Sequence, residues 1–85
     1  MPNIEIYTTK VCPYCVRAKN LLNAKDVDFK EIDLTGDDAG REALLKRSNG
    51  MRTVPQIFIN GKHIGGCDNL YELEEKGELD RLLAE

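Results

Sequence analysis

Apolar and polar residues alternate over residues 3–7 (Asn-Ile-Glu-Ile-Tyr), the period of a strand with one buried face. The period changes after Pro13. Proline suits the first turn of a helix, where its missing N–H costs no hydrogen bond, and no further Pro or Gly interrupts the chain up to Lys25. Cys15, Ala18 and Leu22 fall on one helical face with Leu21 beside them, while Arg17, Lys19 and Asn20 occupy the rest. Val27 and Phe29 share one strand face and Ile32 breaks the parity, so the spacing predicts a short strand over about 27–33 with a bulge. "TGDDAG" reads as a turn entering a weaker helix over about 37–48, with a thin core face (Ala43, Leu44) and a stop at Asn49-Gly50. "QIFIN" is a third strand. Asn60-Gly61 marks a hairpin, since both residues accept positive φ, and "KHIG" returns from it. Gly65-Gly66 marks a tight bend or a close backbone approach. Asp68 or Asn69 is placed to cap a helix over 69–76 that Gly77 ends, and Leu79, Leu82 and Leu83 define a last short amphipathic helix.

The order is therefore β-α-β-α-β-β-α-α. A strand–helix–strand crossover favours parallel pairing of the first two strands, and the Asn60-Gly61 turn makes the last two antiparallel. An α/β fold follows, a four-stranded mixed sheet flanked by helices on both faces.

Length and charge narrow the function. Eighty-five residues suffice for one small domain, 1–85. A net charge of −3 and a pI near 5.1 lack the basic stripe of a nucleic-acid binder. No apolar run approaches the ~20 residues of a membrane span. "MPNIEIY" has neither a basic n-region nor a long apolar h-region, so the expectation is an intact cytoplasmic protein without a secretory signal. Three cysteines make a poor disulfide framework and leave at least one thiol free.

The chemistry centres on Cys12-Pro13-Tyr14-Cys15. One reading makes both cysteines plain apolar residues at a strand–helix junction. A metal reading draws on Cys12, Cys15, His63 and Cys67, a formal C-x2-C…H-x3-C set of zinc-like ligand types. Its second pair follows a hairpin and a glycine bend rather than a second knuckle. A redox reading explains more. Residues three apart on a helix have Cβ atoms ~5–6 Å apart, and a disulfide needs about 3.5–4.5 Å, so a small adjustment closes the bond. Cys12 sits where the helix begins, beside unpaired N–H groups and the positive dipole end, which favour a thiolate. Such sites lower a cysteine pKa from about 8.5 into the range ~3.5–7.5. Cys15 lies a turn further in, aligned with Ala18 and Leu22, where a thiolate is disfavoured. Cys12 is then the nucleophile and Cys15 the resolving thiol.

Three motifs, "CPYC" at 12–15, "TVPQIFING" at 53–61 and "GGCDNL" at 65–70, resemble the glutaredoxin family, specifically its small bacterial-type dithiol class. The resemblance spans nearly the whole chain and implies the thioredoxin fold. It also implies glutathione-dependent thiol–disulfide exchange, with glutathione as reducing cosubstrate and no metal. By the same resemblance Pro55 is cis, and Val54 pairs through its backbone with the cysteine unit of glutathione. Gly66 permits close approach, Asp68 meets the γ-glutamyl ammonium near a helix start, and Arg52 pairs with the glycyl carboxylate. Tyr14, Thr53 and Cys67 line the groove. Plainer roles stand beside these: Asp68 as a helix cap, Arg52 as a solvated charge, Val54 as a strand residue, and Cys67 as a small buried residue. His63 reads as a solvated or hydrogen-bonding side chain without a catalytic role. Many relatives carry Lys or Arg three residues before the first cysteine, where this chain has Thr9; Lys10 is one place nearer.

The resemblance implies a monomer whose partners are glutathione, glutathionylated proteins and disulfide-containing proteins, with ribonucleotide reductase a candidate among them. Two other functions remain open. A thioredoxin-like donor fed by a flavin reductase would have a Trp-flanked Cys-Gly-Pro-Cys site, and this chain has no Trp. An iron–sulfur carrier would bridge a cluster between two copies through Cys12 and two glutathiones; Pro13 argues against it.

Overall fold

The alternation at the N-terminus becomes strand β1 (Ile4–Thr8), with Ile4, Ile6 and Thr8 buried. The computed structural model describes residues 2–84. After β1 come helix α1 (Pro13–Ala24), β2 (Lys30–Asp33), α2 (Asp38–Arg47), β3 (Gln56–Ile59), β4 (Lys62–Gly65), α3 (Cys67–Glu75) and α4 (Leu79–Leu83). The sheet runs β2-β1-β3-β4, with β1 parallel to β2 and antiparallel to β3, and β3 antiparallel to β4. This is the expected thioredoxin-like architecture. Asn60 and Gly61 turn the hairpin with φ of 52° and 80°, the left-handed pair that matches strand twist.

Both faces of the sheet are covered. Ile4, Ile6, Ile57 and Ile59 pack against Ala18, Leu21 and Leu22 of α1, Leu70 of α3, and Leu79 and Leu83 of α4. On the other face Phe58 packs with Leu34 and Leu44, flanked by Tyr7 and Ile32.

Four expectations need correction. The second strand is only Lys30–Asp33 and pairs with β1 in unbroken register; the irregularity lies instead between β3 and β4, at Ile57/Phe58. Val27 and Phe29 precede β2 and pack on the α1 side, while Ile32 packs on the α2 side. The broken parity thus reflects a sheet buried on two faces, not a bulge. Ala43 is exposed, and Leu44 is the buried residue of α2. In place of further apolar cover, the Arg47 guanidinium lies 3.9 Å above the Phe58 ring and donates to Tyr7 Oη (2.9 Å) and Glu5 Oε1 (2.7 Å).

The remaining two corrections concern α3. It begins at Cys67, two residues early, and its N-cap is Gly66 in an extended conformation (φ −94°, ψ −166°). Neither Asp68 nor Asn69 caps it. Asn69, inside the first turn, reaches back to accept from Gly66 N–H at 3.0 Å, which satisfies the cap from within.

Candidate active site

Sheet topology brings three segments to one end. The loop after β1 delivers Cys12 to the start of α1. The segment before β3 ends beside it, because Tyr7 at the close of β1 pairs with Gln56 at the opening of β3. The β4–α3 junction follows at the same end through Gly65 and Gly66.

Cys12 is the N-cap of α1, extended at φ −151° and ψ 94°, and its sulfur accepts from the Cys15 N–H at 3.1 Å. An N–H aimed at sulfur is what favours a thiolate in the reduced protein. Pro13 occupies the first helical position. Cys12 is half-buried and Cys15 is only 1% exposed. Their Cα atoms are 5.2 Å apart and the two sulfurs are joined, so the structure shows the oxidised pair. The asymmetry expected of an accessible and a buried thiol is present.

Opposite the pair, the Val54–Pro55 peptide is cis. The Val54 carbonyl oxygen lies 3.7 Å from Cys12 Sγ. Val54 precedes β3, so its backbone stands outside the strand ladder. Tyr14, Thr53, Val54, Pro55, Cys67 and Asp68 together line one cleft of about 220 Å³. Gly66 borders the same place: a Cβ there would stand 3.3 Å from the Pro55 carbonyl oxygen. Asp68 is exposed in the first turn of α3, where its charge complements the helix N-terminus. Cys67 is a buried free thiol. Burial pushes its pKa up, Arg17 pulls the other way and Asp68 adds to the rise, so it walls the cleft as a protonated group.

Two candidates stand apart. Arg52 is exposed and lines a neighbouring cavity of about 180 Å³ with Asp38, Arg41, Glu42, Leu44, Leu45 and Met51. Lys10 is exposed, and its backbone N–H donates to Thr35 Oγ1 at 2.9 Å. Lys10 sits toward the end of β2, where Thr35 hydrogen bonds hold Asp33 below the usual carboxylate range and the Lys10 charge adds to that effect.

The metal set is not assembled. His63 is paired with Gln56 at 2.7 Å, Cys12 and Cys15 share a bond, and among the described residues no three His, Cys, Asp or Glu are grouped to share an ion.

Sequence reasoning missed two residues here. Gln56 is fully buried, and its Nε2 donates to Thr53 O (3.0 Å) and Oγ1 (3.3 Å). The one signal was a polar residue heading an otherwise apolar strand. Arg17 lies between two aromatic rings, 5.9 Å from the Tyr14 centroid and 5.4 Å from that of Tyr71. Its signal was the i, i+3 spacing from Tyr14.

Known proteins resemble the chain along most of its length. The glutaredoxin family model matches residues 4–64, from β1 into β4. Glutaredoxin 3 of Escherichia coli K12 is 58% identical over 83 residues, covering 98% of this chain and 99% of that protein. A Pseudomonas aeruginosa glutaredoxin is 55% identical over 84 residues, covering 99% of each. A crystal structure of a buckwheat glutaredoxin–glutathione complex superposes with a TM-score of 0.89 at 36% identity, covering 98% of this chain and 77% of that one. The chain therefore belongs to the glutaredoxin family, the glutathione-dependent disulfide oxidoreductases.

Proposed function

We propose that the chain, working as one domain and as a cytoplasmic monomer, reduces protein–glutathione mixed disulfides and protein disulfides through Cys12 and Cys15. The observation that supports this best is the cleft walled by Val54, whose carbonyl lies 3.7 Å from Cys12 Sγ.

Glutathione offers a thiol, a peptide backbone, two carboxylates and an ammonium. In the proposed pose the free backbone of Val54 pairs with its cysteine unit as an added strand would. The N–H groups at the start of α3 take the γ-glutamyl carboxylate, and Asp68 accepts from the ammonium. Arg52, next to Thr53, takes the glycyl carboxylate. Exposed apolar side chains, Val11 at 92% and Val16 at 50%, lie near Cys12 and suit the approach of a protein substrate.

The Cys12 thiolate attacks the glutathionyl sulfur of a mixed disulfide. The S–S bond breaks, the substrate leaves as a thiolate that takes a proton from water, and Cys12 carries the glutathionyl group. A second glutathione thiolate attacks that sulfur, releasing oxidised glutathione and restoring Cys12. For a disulfide within a protein, Cys12 forms a mixed disulfide with the substrate. Cys15 then loses its proton and attacks the Cys12 sulfur, expelling the reduced substrate and leaving the Cys12–Cys15 bond. Two glutathiones reopen it, one bonding to Cys12 and the other removing the first.

The test is to incubate reduced protein with a glutathionylated peptide, glutathione, glutathione reductase and NADPH. Rapid NADPH oxidation that depends on the protein is the expected result. A rate equal to the protein-free blank would contradict the proposal.

A further inference from the structure

Gln56 opens β3 with no exposure, among Ile57, Phe58 and Ile59. A buried amide persists only where its hydrogen bonds are made, and this one makes them in two directions. Its Nε2 donates to the Thr53 carbonyl at 3.0 Å and to Thr53 Oγ1 at 3.3 Å. Its Oε1 lies 2.7 Å from His63 Nε2 on the edge strand β4. An amide oxygen only accepts, so His63 carries the proton on Nε2 and donates. The His63 ring is itself held against Phe58, with centroids 5.0 Å apart and planes tilted by 34°. A flipped Gln56 amide would set its oxygen against the Thr53 carbonyl, two acceptors face to face, so Thr53 fixes the amide orientation and His63 answers it with Nε2–H.

Thr53 directly precedes Val54 and Pro55, the wall of the cleft nearest Cys12. The segment between α2 and β3 lies outside both elements, and the Gln56 side chain ties its end to the sheet. We infer that His63 and Gln56 are positioning residues, a hydrogen-bonded chain from β4 to Thr53 that sets where the Val54 backbone stands relative to Cys12. Neither residue touches the sulfur chemistry. Their effect falls on how well a glutathionyl substrate is held, so the inference rests on the glutathione reading proposed above.

His63→Phe retains a ring against Phe58 and removes the donor. KM for a glutathionylated peptide should rise about 3- to 10-fold, the scale of one lost buried hydrogen bond. The alkylation rate of Cys12 by iodoacetamide, which needs no glutathione pose, should not change. His63→Gln, which restores an N–H of similar reach, should recover much of the KM. In a Gln56→Met background, His63→Phe should add little, since the chain is already cut. An unchanged KM in His63→Phe would overturn the inference. So would a rise that persists in full beside Gln56→Met, or parallel losses in KM, alkylation rate and melting temperature, which would mark general loosening. A wild-type chain inactive on the peptide would instead overturn the glutathione reading, and this inference with it.

Discussion

Cys12 and Cys15 differ in what surrounds their sulfurs. Cys12 caps α1, accepts from the Cys15 N–H and is half-buried, whereas Cys15 is enclosed against the core. In the reduced protein the Cys12 thiol should titrate below the ordinary ~8.5 of a free cysteine. Alkylation rate against pH reads this directly, and an inflection at the ordinary thiol value would contradict an activated nucleophile. Asp68 makes a second test. Gly66, not Asp68, is the N-cap of α3, so removing the Asp68 carboxylate should cost no cap and lower the melting temperature only by its charge–dipole share, about 0.3–1 kcal/mol. If the carboxylate meets the glutathione ammonium, kcat/KM on a glutathionylated peptide should fall roughly 3- to 15-fold in both Asp68→Ala and Asp68→Asn. An Asn variant with full turnover would remove Asp68 from the binding site.

At the scale of elements, the period of apolar residues made the order of strands and helices readable, while boundaries escaped wherever the stabilising group lay outside that pattern. The start of α3 was hidden because its cap is a glycine with no side chain to signal it, and the reciprocal bond comes from Asn69 within the helix. The cover of α2 was hidden because Arg47, a charged residue, does the packing on Phe58. The cysteines and the cis-proline cleft were legible through family motifs, but Gln56 was not, since a lone polar residue in an apolar strand does not announce its partners. Gly65 and Gly66 separate two kinds of constraint. Gly65 has φ of +117°, and a Cβ there would strike the Asn69 side chain; Gly66 has ordinary φ and only presses on Pro55 O. Gly65→Ala should therefore cost more than about 1 kcal/mol. Gly66→Ala should cost less stability and act on KM, with thermal melting and peptide kinetics separating the two. Equal melting temperatures would contradict this.

The sheet edge carries a pH dependence. Glu31 of β2 accepts from Thr8 Oγ1 of β1 at 2.7 Å and from Lys19 Nζ of α1 at 3.0 Å. The Thr8 hydrogen bond first, and then Lys19, hold its carboxyl below the ordinary 4.5. A folded pKa lower than the unfolded one means this stabilisation is complete above about pH 4.5 and fades as pH falls through the lower folded value. The pair is partly exposed, so its worth is at most about 1 kcal/mol. Glu31→Gln should thus lower the melting temperature at pH 7, and its gap to wild type should narrow as pH falls below about 4.5. A constant gap across that window would contradict the linkage.

In the whole molecule, a sheet buried on both faces brings the ends of β1, α1, β3 and α3 together, so that one accessible sulfur stands beside a cleft built from three distant segments of sequence. Division of labour between the two cysteines is the central claim about that arrangement. Its most direct test is turnover of a glutathionylated peptide, coupled to glutathione reductase, by Cys12→Ser and Cys15→Ser proteins. The Cys15→Ser protein should retain deglutathionylation while losing reduction of disulfides within proteins, and Cys12→Ser should be inactive toward both. An active Cys12→Ser beside an inactive Cys15→Ser would reverse the roles and contradict the account.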